Sequence, residues 1–73
     1  MAKLTVKIIE KSGTTKDIRV SDGIIFVIYS LTWNGEVWHM MKQGQGYMGT
    51  FTLVKKARRA AVNDYLFWAK QGS

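Results

Sequence analysis

Residues 49–70, GTFTLVKKARRAAVNDYLFWAK, decide the architecture, because apolar side chains recur here at helical spacing after upstream runs that alternate with period two. At about 100° per residue, Leu53, Val54, Ala57, Ala60, Ala61, Tyr65 and Trp68 fall within one arc of about 140°. The arc predicts a helix from about Leu53 to about Lys70, with Thr52 as its N-cap and Gly72 available to end it. Three small alanines would let that helix sit close on its support, while Tyr65 and Trp68 fill the space where the two diverge. Lys55, Lys56, Arg59, Asn63 and Lys70 gather on the opposite side, with Arg58 at the border.

Two features of the helix do not fit a plain core face. Asp64 falls inside the apolar arc, where an unpaired charge is expensive. It is expected either to pair with a sheet cation or with His39, or to be a perturbed acid at a site. Leu66 and Phe67 point away from the arc's centre, so either a sheet edge or the N-terminal segment covers them, or a partner does.

Upstream, KLTVKIIE (3–10) places Leu4, Val6 and Ile8 on one face and Lys3, Thr5, Lys7 and Ile9 on the other. KSGTTK then reads as a turn, and Asp17–Ser21 as a second strand with Ile18 and Val20 inward. SDG (21–23) turns into IIFVIYSLTW, apolar on both faces at its start and so expected to be the central strand. Asn34-Gly35 between apolar runs suits a two-residue type I′ hairpin, which makes Glu36–Lys42 the next antiparallel strand. QGQG (43–46) is a flexible connection, and YMGTF is either a short last strand or the lead into the helix. The expectation is an α+β fold: a four-stranded, mainly antiparallel sheet (β-β-β-β-α) packed on one C-terminal helix, with residues 1–73 as a single domain.

A chain of 73 residues supports one small core, and without cysteine it has neither disulfides nor thiolate metal sites to reinforce it. The first residues carry regular charge and no apolar stretch long enough for a signal peptide, and no segment suits a transmembrane helix. These features place the protein in the cytoplasm, away from membranes. The net charge of +6 is uneven: residues 1–35 hold five cations and three anions, residues 36–73 six and two. Such an excess fits a polyanionic partner.

With one histidine and scattered serines and carboxylates, no nucleophile, base and orienter can be assembled, and no catalytic, metal or cofactor site is expected. Nucleic-acid binding finds more support. Trp33, Trp38, His39 and Tyr47 are interleaved with Lys42, and the first hairpin offers Lys3, Lys7 and Arg19. A cationic sheet carrying Lys3, Lys7, Arg19, Trp38 and Lys42, or the helix cations Lys55, Lys56, Arg58 and Arg59, would contact phosphates of duplex DNA. The alternative is a protein-interaction module, a homodimer or a small inhibitor encoded by a mobile element, using Leu66 and Phe67.

Tyr47, Met48, Gly49, Thr50, Phe51, Ala57, Ala60 and Ala61 carry a resemblance. An aromatic, an apolar residue, Gly-Thr-Phe and an alanine-bearing helix resemble the end of the three-stranded-sheet-plus-helix DNA-binding domains of the AP2 and integrase arm-type families. The resemblance covers about a quarter of the chain, residues 47–65, and implies that basic and aromatic residues of the sheet read DNA. EVWHMMK lacks the arginine-rich pattern such a reading strand carries, and the matched positions are structural ones in those families.

Overall fold

In the computed structural model, which describes residues 4–71, the chain forms β1 (Thr5–Ser12), β2 (Thr15–Ser21), β3 (Phe26–Trp33), β4 (Trp38–Lys42), β5 (Gly46–Phe51) and α1 (Val54–Gln71). All neighbouring strands are antiparallel, and their order in the sheet is their order in the chain, with β3 in the centre. The sheet therefore has five strands where four are expected, because YMGTF forms a complete strand paired to β4 from Trp38↔Phe51 to Lys42↔Gly46. A bulge between Met40 and Met41 lets this strand follow β4 despite its glycine at position 49, where φ is 146°.

Register assigns the two faces. Val6, Val20 and Val27 lie in one row, Ile18 and Tyr29 in the next, then Leu31 and Met40. These residues face α1, whose Ala57 and Ala61 are fully buried against them and whose Tyr65 is nearly so. Alanines at the contact allow the helix backbone to approach the sheet, as the sequence predicts. The opposite face of the sheet has no layer over it, and Ile9, Phe26, Met41 and Tyr47 are about half exposed there.

Several expectations are corrected. The β3–β4 connection is a four-residue loop, since Trp33 pairs with Trp38, and Asn34 does not adopt positive φ. The Asn34 side chain builds the turn instead: its Oδ1 accepts from the N–H groups of Glu36 and Val37, both at 2.9 Å, and only Gly35 takes positive φ. The Leu53 carbonyl accepts from Lys56 and Ala57, so α1 begins one residue later than expected, and among the described residues no Thr52 hydroxyl bond caps it. Leu53 and Trp68 are about half exposed rather than core: Leu53 precedes the helix, and Trp68 covers Lys42 at the rim of the sheet. Ile24 and Ile25 belong to the β2–β3 turn, outside the central strand, and are exposed. Ile8, expected inward, is 44% exposed because α1 packs chiefly over β2, β4 and β5 and leaves the edge strand β1 largely uncovered.

The close seating of α1 has a direct test. Ala61→Leu forces extra methylenes into a filled contact and is expected to cost about 1–3 kcal/mol, whereas Lys56→Ala should change stability by less than about 0.5 kcal/mol. Thermal unfolding followed by circular dichroism reads both, and equal effects would contradict the packing described.

Candidate nucleic-acid interface

The eight candidate contacts among the described residues divide into three places, and Lys3 lies outside the described residues. Lys55, Lys56, Arg58 and Arg59 are all exposed on the back of α1. Lys7 and Arg19 are cross-strand partners on the uncovered face of the sheet. The sheet and a helix diameter of about 10 Å separate the two groups, so one flat partner cannot touch both. Lys42 and Trp38 are in neither group. Their register puts them on the helix-covered face, correcting the expectation that they share a face with Lys7 and Arg19.

Lys42 is buried, with its Nζ 2.9 Å from Asp64 Oδ2, and the Tyr29 hydroxyl donates to the same oxygen at 2.7 Å. The ammonium also lies 5.0 Å from the centre of the Trp68 ring and 5.9 Å from that of Tyr29. This resolves the placement of Asp64 in the apolar arc: the carboxylate bonds a lysine from β4 and a tyrosine from β3, and not His39. Burial pushes the Asp64 carboxyl up, but the bonds from Lys42 and Tyr29 and the lysine charge outweigh it and hold it below its ordinary value. Burial, and then the bond to Asp64, push the Tyr29 phenol well above its ordinary range. Trp38 stacks at a tilt on Trp33, ring centres 5.3 Å apart, with Lys16 5.7 Å from its ring.

His39 stands on the uncovered face between Asn34 and Tyr47. Asn34 Oδ1 is occupied by two backbone N–H groups, so its Nδ2 is the donor to His39 Nε2 at 2.9 Å. In the neutral ring Nδ1 then carries the proton and donates to the Tyr47 hydroxyl at 3.2 Å. The histidine orients a tyrosine.

Charge pairing sharpens the contrast between surfaces. The three ion pairs among the described residues join Lys11 to Asp17, Lys16 to Glu10 and Lys42 to Asp64. None involves Lys7, Arg19 or the four helix cations. The first turn of α1 contains no acidic residue, so its dipole, positive at this end, opposes the two cations there, Lys55 and Lys56.

A third surface was only partly legible. Leu66 and Phe67 are exposed, as is Trp68; the β2–β3 turn adds Ile24 and Ile25, and the first residue of β3 adds Phe26. A cleft of about 420 Å³ beside Trp68 is lined by Phe26, Val27, Ile28, Lys42 and Trp68 and by the β4–β5 turn. The contribution of residues 24–26 was missed because an apolar run signals a buried strand far more often than an exposed turn.

No protein-family model matches the chain, and comparisons with curated proteins and with solved structures give no match. Among the described residues, no helix is long and apolar enough to cross a membrane.

The buried pair makes stability depend on pH. Because the folded carboxyl of Asp64 titrates below its unfolded value near 3.8, its contribution is present above that pH and is lost as pH falls through the folded value. Asp64→Asn, which leaves the Lys42 ammonium unpaired, is expected to cost about 2–4 kcal/mol at neutral pH. Urea unfolding at neutral pH and well below pH 3.8 should show the gap to wild type narrowing in acid; a constant gap would remove the carboxylate from this account.

Proposed function

We propose that the protein binds duplex nucleic acid, in the first place DNA, through the basic back of α1. The observation that carries this reading is the set of four exposed cations, Lys55, Lys56, Arg58 and Arg59, unpaired with any carboxylate among the described residues. Lys55 and Lys56 sit in the first turn, where the helix dipole disfavours them, so their placement detracts from the stability of the helix and is explained by a polyanion that both cations and dipole attract. Contacts of this kind go to phosphates and give affinity with little choice of sequence.

The likeness of residues 47–65 to the AP2 and integrase arm-type domains points instead to the uncovered sheet face as the reading surface. On β3, β4 and β5 that face presents Ser30, Thr32, His39, Met41, Tyr47 and Thr50, with no arginine or lysine among them. Its cations are confined to the first hairpin. The helix back is therefore the better candidate for the duplex.

A second reading, association of two copies, is favoured by the apolar end. Ile24, Ile25, Phe26, Leu66, Phe67 and Trp68 are each between 44% and 87% exposed. At roughly 100 Å² of exposed surface each, they offer about 600 Å² per copy, near the lower bound for a stable interface. Lys42, which lines the cleft at this end, is paired with Asp64. The readings are compatible, since the helix cations lie more than two turns away from Phe67.

Fluorescence titration with duplex DNA should show affinity falling with salt, with a log-log slope of about −3 to −4 for four phosphate contacts. Replacing Lys55 and Arg59 with glutamine should shallow the slope by about 2, and leave it unchanged when Lys7 is replaced instead. Binding indifferent to salt, or equally sensitive to Lys7, would refute the helix as the contact surface. For the second reading, sedimentation should give a dimer for wild type and a monomer for Phe67→Glu; a monomer in both would refute it.

A further inference from the structure

The uncovered face of the first hairpin contains a feature that duplex binding by the helix does not use. Thr5, Lys7, Arg19, Ser21 and Gly23 line one depression of about 190 Å³. Thr5 pairs with Ser21 and Lys7 with Arg19, so two hydroxyls face each other across the strands and two cations face each other in the next row. Like charges directly opposite each other on a sheet are destabilising unless an anion lies between them. No carboxylate lines the depression. The nearest on this face, Asp17, is engaged by Lys11 at 3.1 Å, and the Asp22 carboxylate accepts from the N–H groups of Ile24 and Ile25.

The donors are also oriented. The Arg19 guanidinium lies 4.4 Å from the centre of the Phe26 ring, which fixes the plane of the fork. Its Nε is buried and has no hydrogen-bond partner among the described residues, an unusual state for a charged donor. Ser21 Oγ accepts from the Gly23 N–H at 3.0 Å, which leaves its own O–H free to donate.

From these observations we infer that the depression is a binding site for a phosphoryl oxyanion, carried by free phosphate or by the terminal phosphate of a nucleotide or nucleic-acid strand. Arg19 supplies a forked, charge-assisted contact, Lys7 a second charge, and Thr5 and Ser21 neutral donors to the remaining oxygens. The site is independent of the helix surface and stands or falls separately from it.

The test is a titration of the isotopically labelled protein with inorganic phosphate, following the Arg19 Nε–H and Gly23 N–H resonances, with sodium chloride at matched ionic strength as the control. Saturable shifts with a Kd on the order of 1 mM are expected for phosphate, and none for chloride. Arg19→Lys, which keeps the charge but loses the fork, should weaken binding by about tenfold or more as read at Gly23. Ser21→Ala should weaken it by a smaller factor and serves if the arginine variant fails to fold, whereas Lys55→Gln with Arg59→Gln should leave it unchanged. A 5′-phosphorylated dinucleotide that binds more tightly than phosphate, beside a 5′-hydroxyl one that does not bind, would support the site and assign it to strand ends; equal affinity for the phosphorylated dinucleotide and phosphate would support it for the free ion. Shifts reproduced by chloride, or binding indifferent to both Arg19→Lys and Ser21→Ala, would overturn the proposal.

Discussion

A single carboxylate oxygen, Oδ2 of Asp64, joins the helix to two strands at once. It receives the Lys42 ammonium from β4 and the Tyr29 hydroxyl from β3, beside a core whose other members are Ile18, Val20, Leu31, Met40, Ala57, Ala61 and Tyr65. The fully buried apolar side chains are few, and two of them are alanines that contribute little area. A helix seated on so little apolar surface could slide or rotate. The charged bond permits one registry, because moving α1 by a turn would strand both a lysine and an aspartate in a site with little water. The helix cations face outward because this bond faces inward.

Much of the fold was legible because its signals are periodic. The alanine spacing identified the buried side of α1, and alternation in the second strand identified Ile18 and Val20 as core. The departures have local causes. YMGTF contains a glycine with positive φ and, next to it, Met48 as the extra residue of a bulge, and both weaken the strand signal. Asn34-Gly35 has the composition of a two-residue turn, yet the asparagine side chain stabilises a longer loop by accepting two backbone hydrogens. Trp68 and Leu53 lie on the correct side of the wheel but stay about half exposed outside the core, because burial depends on what the sheet offers opposite each position, which periodicity cannot measure.

The candidate surfaces were less legible, for a different reason. Charge can be counted from sequence, but whether Lys7, Arg19, Lys42 and the helix cations share a face depends on pairing register and on which side α1 docks. Register put Lys42 under the helix and Arg19 on the other side of the sheet, although both occur in strands that look equally basic. Of the two basic groups that remain, one lies on an extended back and the other in a recess with hydroxyls. A fixed, partly enclosed set of donors selects a small ligand, whereas an open row of long side chains suits a long one.

The order of the strands bears on how the chain reaches this structure. Each strand pairs with its immediate neighbours in sequence, so the whole sheet forms by closing short loops, and no distant segments need to find each other first. The bond between Tyr29 and Asp64 spans 35 residues and can form only after β3, β4 and β5 are in place. Low contact order of this kind favours rapid zipping of the meander, with helix docking as the late, cooperative event. Until that step, the apolar face of the sheet is open to solvent, with the Lys42 ammonium standing on it and its carboxylate partner still on the undocked helix.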